Sequence, residues 1–277
     1  AIEKRSIKGE SESESTDIIY GVPQGSVIGP LLFCICISSF HALCPNSRIY
    51  KYADDVTLLH FLRNSNDDRL QFELNNAIAW SQKEGLKLNF SKCSVTNFVT
   101  KRSLSLLPIF ESSGQPIPTV NSVKILGVTF SEDMRWNVHV NNVVSKACRR
   151  IYVLRNLKRS GVHSSILFLI YRSLIRSALT YSYPCFCNAA QYLHDDLNKI
   201  EKRVLRMIFG SPLNDDNLEK ACSKLCHRLF DEVVTFAVHP LRSLFDSRVP
   251  TPRNPWIMRP PIAKTCRLSR SFVKFGR

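Results

Sequence analysis

Ile49-Tyr50-Lys51-Tyr52-Ala53-Asp54-Asp55-Val56-Thr57-Leu58-Leu59-His60-Phe61 sets two adjacent carboxylates between flanks rich in β-branched and aromatic residues. The flanks have no helical period, so the segment reads as a strand, a tight turn carrying the acids, and a second strand. Acids at the tip of a buried hairpin lose hydration and repel each other unless a divalent cation or a proton lies between them. The pair is therefore a candidate metal site for phosphoryl chemistry. Asp67-Asp68, Asp195-Asp196 and Asp215-Asp216 are the internal comparison. They have more polar neighbours and read as helix starts or solvated loops.

Upstream lies Gly21-Val22-Pro23-Gln24-Gly25-Ser26-Val27-Ile28-Gly29-Pro30-Leu31-Leu32-Phe33, with glycine at every fourth position and prolines between. Glycine permits close backbone approach or positive φ, and Pro23 fixes the chain's direction into the loop. Leu31 to Ile37 then forms an apolar run that is expected to be buried in a helix reaching about residue 40. Alone, such a stretch is an ordinary loop before a core helix.

In this order and spacing the two stretches resemble the palm of a reverse transcriptase, in the form found in non-LTR, LINE-like retrotransposons. Gly21 to Phe33 resembles the motif that cradles nucleotide and template, and Tyr52-Ala53-Asp54-Asp55 the metal-binding motif. Trp80 to Asn89 with Lys92 resembles the helix-and-strand motif that follows, with Phe90 where the family usually has proline. Val123 to Phe130 resembles the primer-gripping hairpin, and residues 137–209 the helical region beyond it. The resemblance spans roughly residues 17–212 on those motifs.

The resemblance implies an RNA-directed DNA polymerase working by two-metal nucleotidyl transfer. Asp54 and Asp55 are the implied ligands of Mg²⁺, with Mn²⁺ as a substitute. Pro23, Gln24 and Gly25 are implied to position template and nucleotide. Tyr52 and Ala53 would lie under the primer end, and Leu126 and Gly127 in the primer grip. Lys92 is a candidate proton donor to pyrophosphate, although a lysine after a strand is commonly just solvated. The implied partners are an RNA template, a DNA primer and deoxynucleoside triphosphates, inside the cell, in cytoplasm and nucleus. The family's other metal aspartate precedes the Gln-Gly motif. Nothing in residues 1–16 resembles it, and nothing recommends Asp17 as a substitute. Residues 1–277 are thus expected to be the carboxyl-terminal piece of a longer reading frame, nearly inactive alone.

Charge points to the same partner class. The 277 residues carry a net charge of +15, unevenly spread. Residues 1–133 hold 13 Lys/Arg against 14 Asp/Glu, and residues 134–277 hold 25 against 9. From Met134 to His194 there are nine bases and no acid. A one-sign stretch of this length suits a polyanion. Lys146, Arg149 and Arg150, then Lys199, Lys202, Arg203 and Arg206, are the expected contacts to nucleic-acid backbone. No apolar run reaches the ~20 residues of a membrane span. The ten cysteines are scattered, and the default is buried free thiols. Cys222, Cys226 and His227 form the one spacing that suggests zinc, without a second half.

The expected fold is α+β: a partial polymerase palm, an antiparallel sheet with helices on one face, followed by a helical thumb-like bundle. Residues 1–16 are a polar segment, either strand edge or disordered tail, 17–133 the palm, 134–212 the bundle, and 213–277 a basic, proline-containing region. A helix from a cap at Ser65–Asp68 to Gly85 is expected to pack under the acidic hairpin. Short strands are expected at Leu86–Leu88, Ser94–Val99 and Val123–Phe130. Val140 to Leu154, Ile166 to Ala178 and Leu193 to Ile208 carry helical apolar stripes, closed by Gly161 and by Gly210 with Pro212. The tail from Arg242 reads as an extended basic arm in which Trp256 and Phe272 stack on bases or dock on the bundle. Two competing functions remain: a catalytically dead, retrotransposon-derived nucleic-acid-binding module, and an unrelated two-metal nuclease. The nuclease lacks a second acidic motif.

Overall fold

The computed structural model describes residues 25–61, 69–98, 115–211 and 217–244. Outside these it describes the strand pieces β1 (Ile2–Lys4), β2 (Ile7–Lys8), β3 (Ser11–Glu12), β4 (Thr16–Ile18) and β7 (Glu111–Ser112), and two more near the carboxyl end, Asp246–Ser247 and Met258–Arg259. The chain divides into two compact units, Ala1–Asn121 and Ser122–Arg277. The fold is mixed α and β, and its strands pair two by two, each pair antiparallel.

In the first unit the amino-terminal segment takes the strand alternative. β1 pairs with β4, with Ile2 opposite Ile18, and β2 pairs with β3. Helix α1 spans Gly29–Ser38. Ser26 Oγ accepts the Gly29 N–H at 3.0 Å, and Pro30 sits in the first turn, where it removes no intrahelical bond. The expected burial of Leu31–Ile37 does not hold. Ile37 is buried, but Ile28, Leu31 and Ile35 are 60% exposed or more. These three recur at helical spacing as one stripe, and no described element of the unit covers it.

Strands β5 (Ser47–Tyr52) and β6 (Asp55–His60) form the expected hairpin, with Tyr52 opposite Asp55 and Ala53-Asp54 as a two-residue turn. Helix α2 spans Leu70–Lys83 and ends at Gly85, whose φ is +67°. Its expected cap at Ser65–Asp68 lies outside the described residues. The anchoring contacts of α2 run to the 39–44 link ahead of the hairpin. Glu73 is fully buried and accepts the backbone N–H groups of Cys44 at 2.5 Å and Leu43 at 3.2 Å. Burial pushes its carboxyl up, and those two N–H donors, with the side chains of Cys44 and Ser47, together hold it below its usual value. Trp80 stacks on Phe40 at 4.9 Å between ring centroids. No strand forms at Leu86–Leu88, where Asn89 instead leads into a 3₁₀ turn at Phe90–Lys92. Of Ser94–Val99, the described residues make one parallel bridge, Val95 to Thr119. Among the described residues neither stretch has a neighbouring strand with which to build a ladder, and strand propensity alone does not hold one. β8 (Gln115–Pro116) pairs with β7.

The second unit begins one hairpin earlier than the residue-134 boundary. β9 (Ser122–Ile125) and β10 (Val128–Ser131) pair through the turn Leu126-Gly127, both at positive φ, one of the two patterns whose twist matches a two-residue hairpin. Phe130 contacts Trp136, and the buried Thr129 N–H donates to His139 Nδ1 at 3.2 Å. α3 (Asn137–Arg159) follows, with Val140, Ala147, Ile151 and Leu154 buried as the stripe predicts. α4 (Ser164–Ile170) runs into a π-helical segment, Tyr171–Arg176, and then α5 (Ser177–Thr180). Leu167, Tyr171, Ile175 and Leu179 are buried, while Ile166 and Leu174 are exposed. A four-residue repeat drifts about 40° per step around an α-helix, and the wider π turn brings it back to one face. After α6 (Tyr183–Phe186) comes α7 (Gln191–Phe209), closed by Gly210 at φ +80°. Pro212 lies outside the described residues. α8 (Leu218–Thr235) was not expected from the sequence. Its signals are an Asn217 side chain that accepts the Lys220 N–H, and Leu218, Cys222 and Cys226 at four-residue spacing. β11 (Asp246–Ser247) and β12 (Met258–Arg259) pair with each other.

His139 supplies a pH prediction. Burial lowers its pKa, its Nδ1 accepts from Thr129, and its Nε2 has no partner. A lowered histidine contributes stability above its unfolded value of ~6.5, lost as pH falls through the folded value. The melting temperature of the helical unit is expected to fall below about pH 6 more steeply in the native protein than in His139→Gln. Parallel curves for the two proteins would show that His139 is not the group responsible.

Candidate active site and nucleic-acid interface

The hairpin turn is short because Ala53 adopts φ +50°, which lets two residues reverse the chain. Asp54 completes the turn and Asp55 opens β6, and both are exposed. This corrects the expectation of acids at a buried tip: the tip projects from the sheet, so water offsets the desolvation that burial would impose. Tyr52 pairs with Asp55 and Tyr50 with Thr57, so these four share one face. Tyr50 and Tyr52 are 58% and 65% exposed, leaving an open aromatic surface beside the carboxylates.

The opposite face ties the hairpin to α1. Lys51 Nζ donates to the carbonyls of Ile37 at 2.8 Å and Ser38 at 3.1 Å. A cation at a helix carboxyl end satisfies unpaired carbonyls and suits the helix dipole. The same ammonium lies 6.0 Å from the centre of the Phe40 ring. At the hairpin's base Ser47 Oγ bonds His60 Nδ1 at 2.8 Å. The acids are thus held relative to the helix that begins at Gly29. Lys51 was not singled out in the sequence; its signal is a base set between two tyrosines in the strand. Gly25 is exposed at φ +87°, a conformation that favours glycine. Pro23 and Gln24 lie outside the described residues. Lys92 is exposed at the end of its 3₁₀ turn.

Asp54 and Asp55 offer hard oxygen donors open to water, the set that suits Mg²⁺ or Mn²⁺, ions that keep several waters. Among the described residues no three His, Cys, Asp or Glu side chains gather as a metal group. The zinc spacing likewise does not converge. Cys222 and Cys226 are buried, whereas His227 is exposed and bonded to the Ser223 carbonyl at 2.8 Å. Burial pushes the Cys222 thiol up to about 12, away from the thiolate that metals bind.

In the second unit Tyr181 Oη donates to the Leu126 carbonyl at 2.7 Å, and a Cβ at Gly127 would meet the Tyr181 ring at 3.1 Å. The turn of β9–β10 is therefore seated on a side chain of the helical region. Lys199, Lys202, Arg203 and Arg206 line one exposed face of α7, as expected. Lys146 and Arg149 are exposed on α3, but Arg150 donates to the Leu174 carbonyl and ties α3 to the π-helical segment. No helix among the described residues is long and apolar enough to cross a membrane.

Comparison with known proteins fits the hairpin geometry. Residues 3–130 match the family described as reverse transcriptase (RNA-dependent DNA polymerase). They belong to the reverse transcriptase family. The match begins earlier than residue 17 and ends at the last apolar residue of β10. Three curated relatives come from non-LTR mobile elements of Drosophila melanogaster. The probable RNA-directed DNA polymerase from transposon BS is 26% identical over 203 residues, 69% of this chain and 22% of its own length. That from transposon X-element is 26% identical over 208 residues, 72% and 22% respectively. The RNA-directed DNA polymerase from mobile element jockey is 23% identical over 214 residues, 73% and 23% respectively. The chain thus spans under a quarter of the length of these relatives. No solved structure matches. The reverse transcriptase segment contains α1, the Asp54-Asp55 hairpin and β9–β10, while α3 and everything after it lie beyond residue 130.

Proposed function

We propose that this chain is part of an RNA-directed DNA polymerase of a non-LTR retrotransposon and that Asp54 and Asp55 hold its catalytic Mg²⁺. The observation that carries this reading is the water-facing pair of carboxylates at a hairpin tip, fixed to the Gly29 helix by Lys51. Tyr52 and Ala53 shape the floor beside the acids, on which the primer's 3′ end rests. Pro23, Gln24 and Gly25 align the RNA template base with the incoming deoxynucleoside triphosphate. Leu126 and Gly127 grip the primer strand, with Tyr181 holding their turn in place. The primer 3′-hydroxyl loses its proton to water as its oxygen attacks the α-phosphorus, and the bond to pyrophosphate breaks on the opposite side. Mg²⁺ held by Asp54 and Asp55, or Mn²⁺ in its place, would supply positive charge to offset the negative charge that develops in this displacement. Basic side chains of the helical unit hold the duplex by its phosphates without reading sequence. The basic helices alone also suit a catalytically dead nucleic-acid-binding module.

Metal binding separates the two readings. Mn²⁺ added below stoichiometry is expected to broaden the amide NMR signals of Tyr52–Val56 selectively, and Asp54→Asn to remove that broadening. Broadening spread over other acids, or unchanged in Asp54→Asn, would refute the site.

A further inference from the structure

The helical unit carries a cleft of about 600 Å³ between α3 and α7. Its walls are cationic: Arg155 from α3 faces Lys199, Lys202, Arg203 and Arg206 from α7. Ile151 and Met207 complete the lining. The four α7 cations fall at i, i+3, i+4 and i+7, so they cover about 10 Å of one helix face. That length matches about three phosphate steps along one strand of a double helix.

Little acid offsets these charges. Asp196 pairs with Lys199 at 2.8 Å at one end of the row. Glu201, on the same helix, is 4% exposed and turns inward to Tyr171 Oη and the Leu218 N–H. Lys158, one turn beyond Arg155, donates to the Met207 carbonyl and ties the two helices where the cleft ends. The other expected contacts of α3 are elsewhere. Lys146 precedes Arg155 by nine residues, about half a turn round the helix, and Arg149 and Arg150 also point away from the cleft wall.

We propose that this cleft is a strand-seating groove for the phosphate backbone of a nucleic-acid duplex. Arg155 closes its α3 side, and Lys146, Arg149 and Arg150 take no part. The proposal rests on the polymerase reading for the partner class and adds the groove, its fifth cation and its boundary. The lining holds no aromatic side chain. Sites for single strands stack bases on aromatic rings, so a groove of cations over an aliphatic floor fits backbone alone. Confronting five like charges costs stability when the groove is empty, and a polyanion removes that cost.

The test is fluorescence anisotropy with a labelled RNA–DNA hybrid duplex across a salt series, using the 277-residue chain. Five phosphate contacts give a slope of log affinity against log salt of about −4 to −5. Arg155→Gln and Arg203→Gln are each expected to flatten that slope by about one. Lys146→Gln is expected to leave it unchanged. Melting temperatures at low salt should stay level or rise in the two cleft variants, which separates lost contacts from lost fold. An unchanged slope in Arg155→Gln, or an equal loss in Lys146→Gln, would overturn the groove. Tighter binding of the separated strands than of the duplex would overturn the duplex as its occupant. The readout is duplex binding without nucleotide or divalent metal, so a failure of the polymerase reading leaves this result interpretable on its own.

Discussion

Glu201→Ala is expected to destabilise the helical unit by about 3–5 kcal/mol, moving its urea midpoint by about 2 M. Glu201 is buried in the apolar stripe of α7, where its two oxygens have different partners. Oε1 accepts Tyr171 Oη at 2.7 Å, and Oε2 accepts the Leu218 N–H at 2.6 Å. The carbonyl of the same peptide unit, that of Asn217, accepts from Arg176 Nη2 at 2.9 Å. A carboxylate and a guanidinium therefore hold the two ends of one peptide group at the start of α8. Hydrogen bonds to charged groups contribute about 1.5–3 kcal/mol each, and truncation removes the carboxylate that accepts from Tyr171 Oη and from the buried Leu218 N–H. Glu201→Gln should lose less, because its amide oxygen still serves one donor. Glu232→Ala is the surface comparison. Its pair with Arg228 is at 3.0 Å but solvated, and the midpoint should barely move. A Glu201→Ala midpoint as little changed as that of Glu232→Ala would show that the network does not hold α8.

With residues 1–277 carried within their complete open reading frame, Asp54→Asn is expected to lower RNA-templated nucleotide incorporation by about 10³-fold or more, with the melting temperature unchanged. The amide keeps the shape of the side chain and one oxygen but loses the charge that binds a divalent cation. Removing one preorganised charge-stabilising group from a transition state commonly costs two to three orders of magnitude. Asp54 lies exposed in a turn, so the fold has little to lose. Asp195→Asn is the matched control, an exposed acid of another pair, in the second turn of α7. A comparable loss in that control would remove the special status of the hairpin.

The site was legible in the sequence where local rules decide the structure. Apolar flanks around Ala53-Asp54 leave a two-residue hairpin as the compact solution, and glycines 85, 161 and 210 end helices at positive φ as expected. Single-period stripes in α3 and α7 gave their buried faces. What depended on distant partners was hidden. The exposure of Leu31 and Ile35 depends on which elements cover α1, which no periodicity reports. Glu201 shares its stripe with leucines, and only Tyr171 and Leu218, far along the chain, make it a buried acid. The π-helical segment arises from a repeat of four that ordinary helix counting reads as α. Arg155 was one of nine bases in an acid-free stretch, and only packing of α3 on α7 sets it apart from Lys146.

The most direct test is primer extension on a defined RNA template with Mg²⁺, with residues 1–277 expressed within their complete open reading frame. The expected result is a DNA product complementary to that RNA, lost in Asp54→Asn but not in Asp195→Asn. No product from the native protein, or a product that persists in Asp54→Asn, would contradict it.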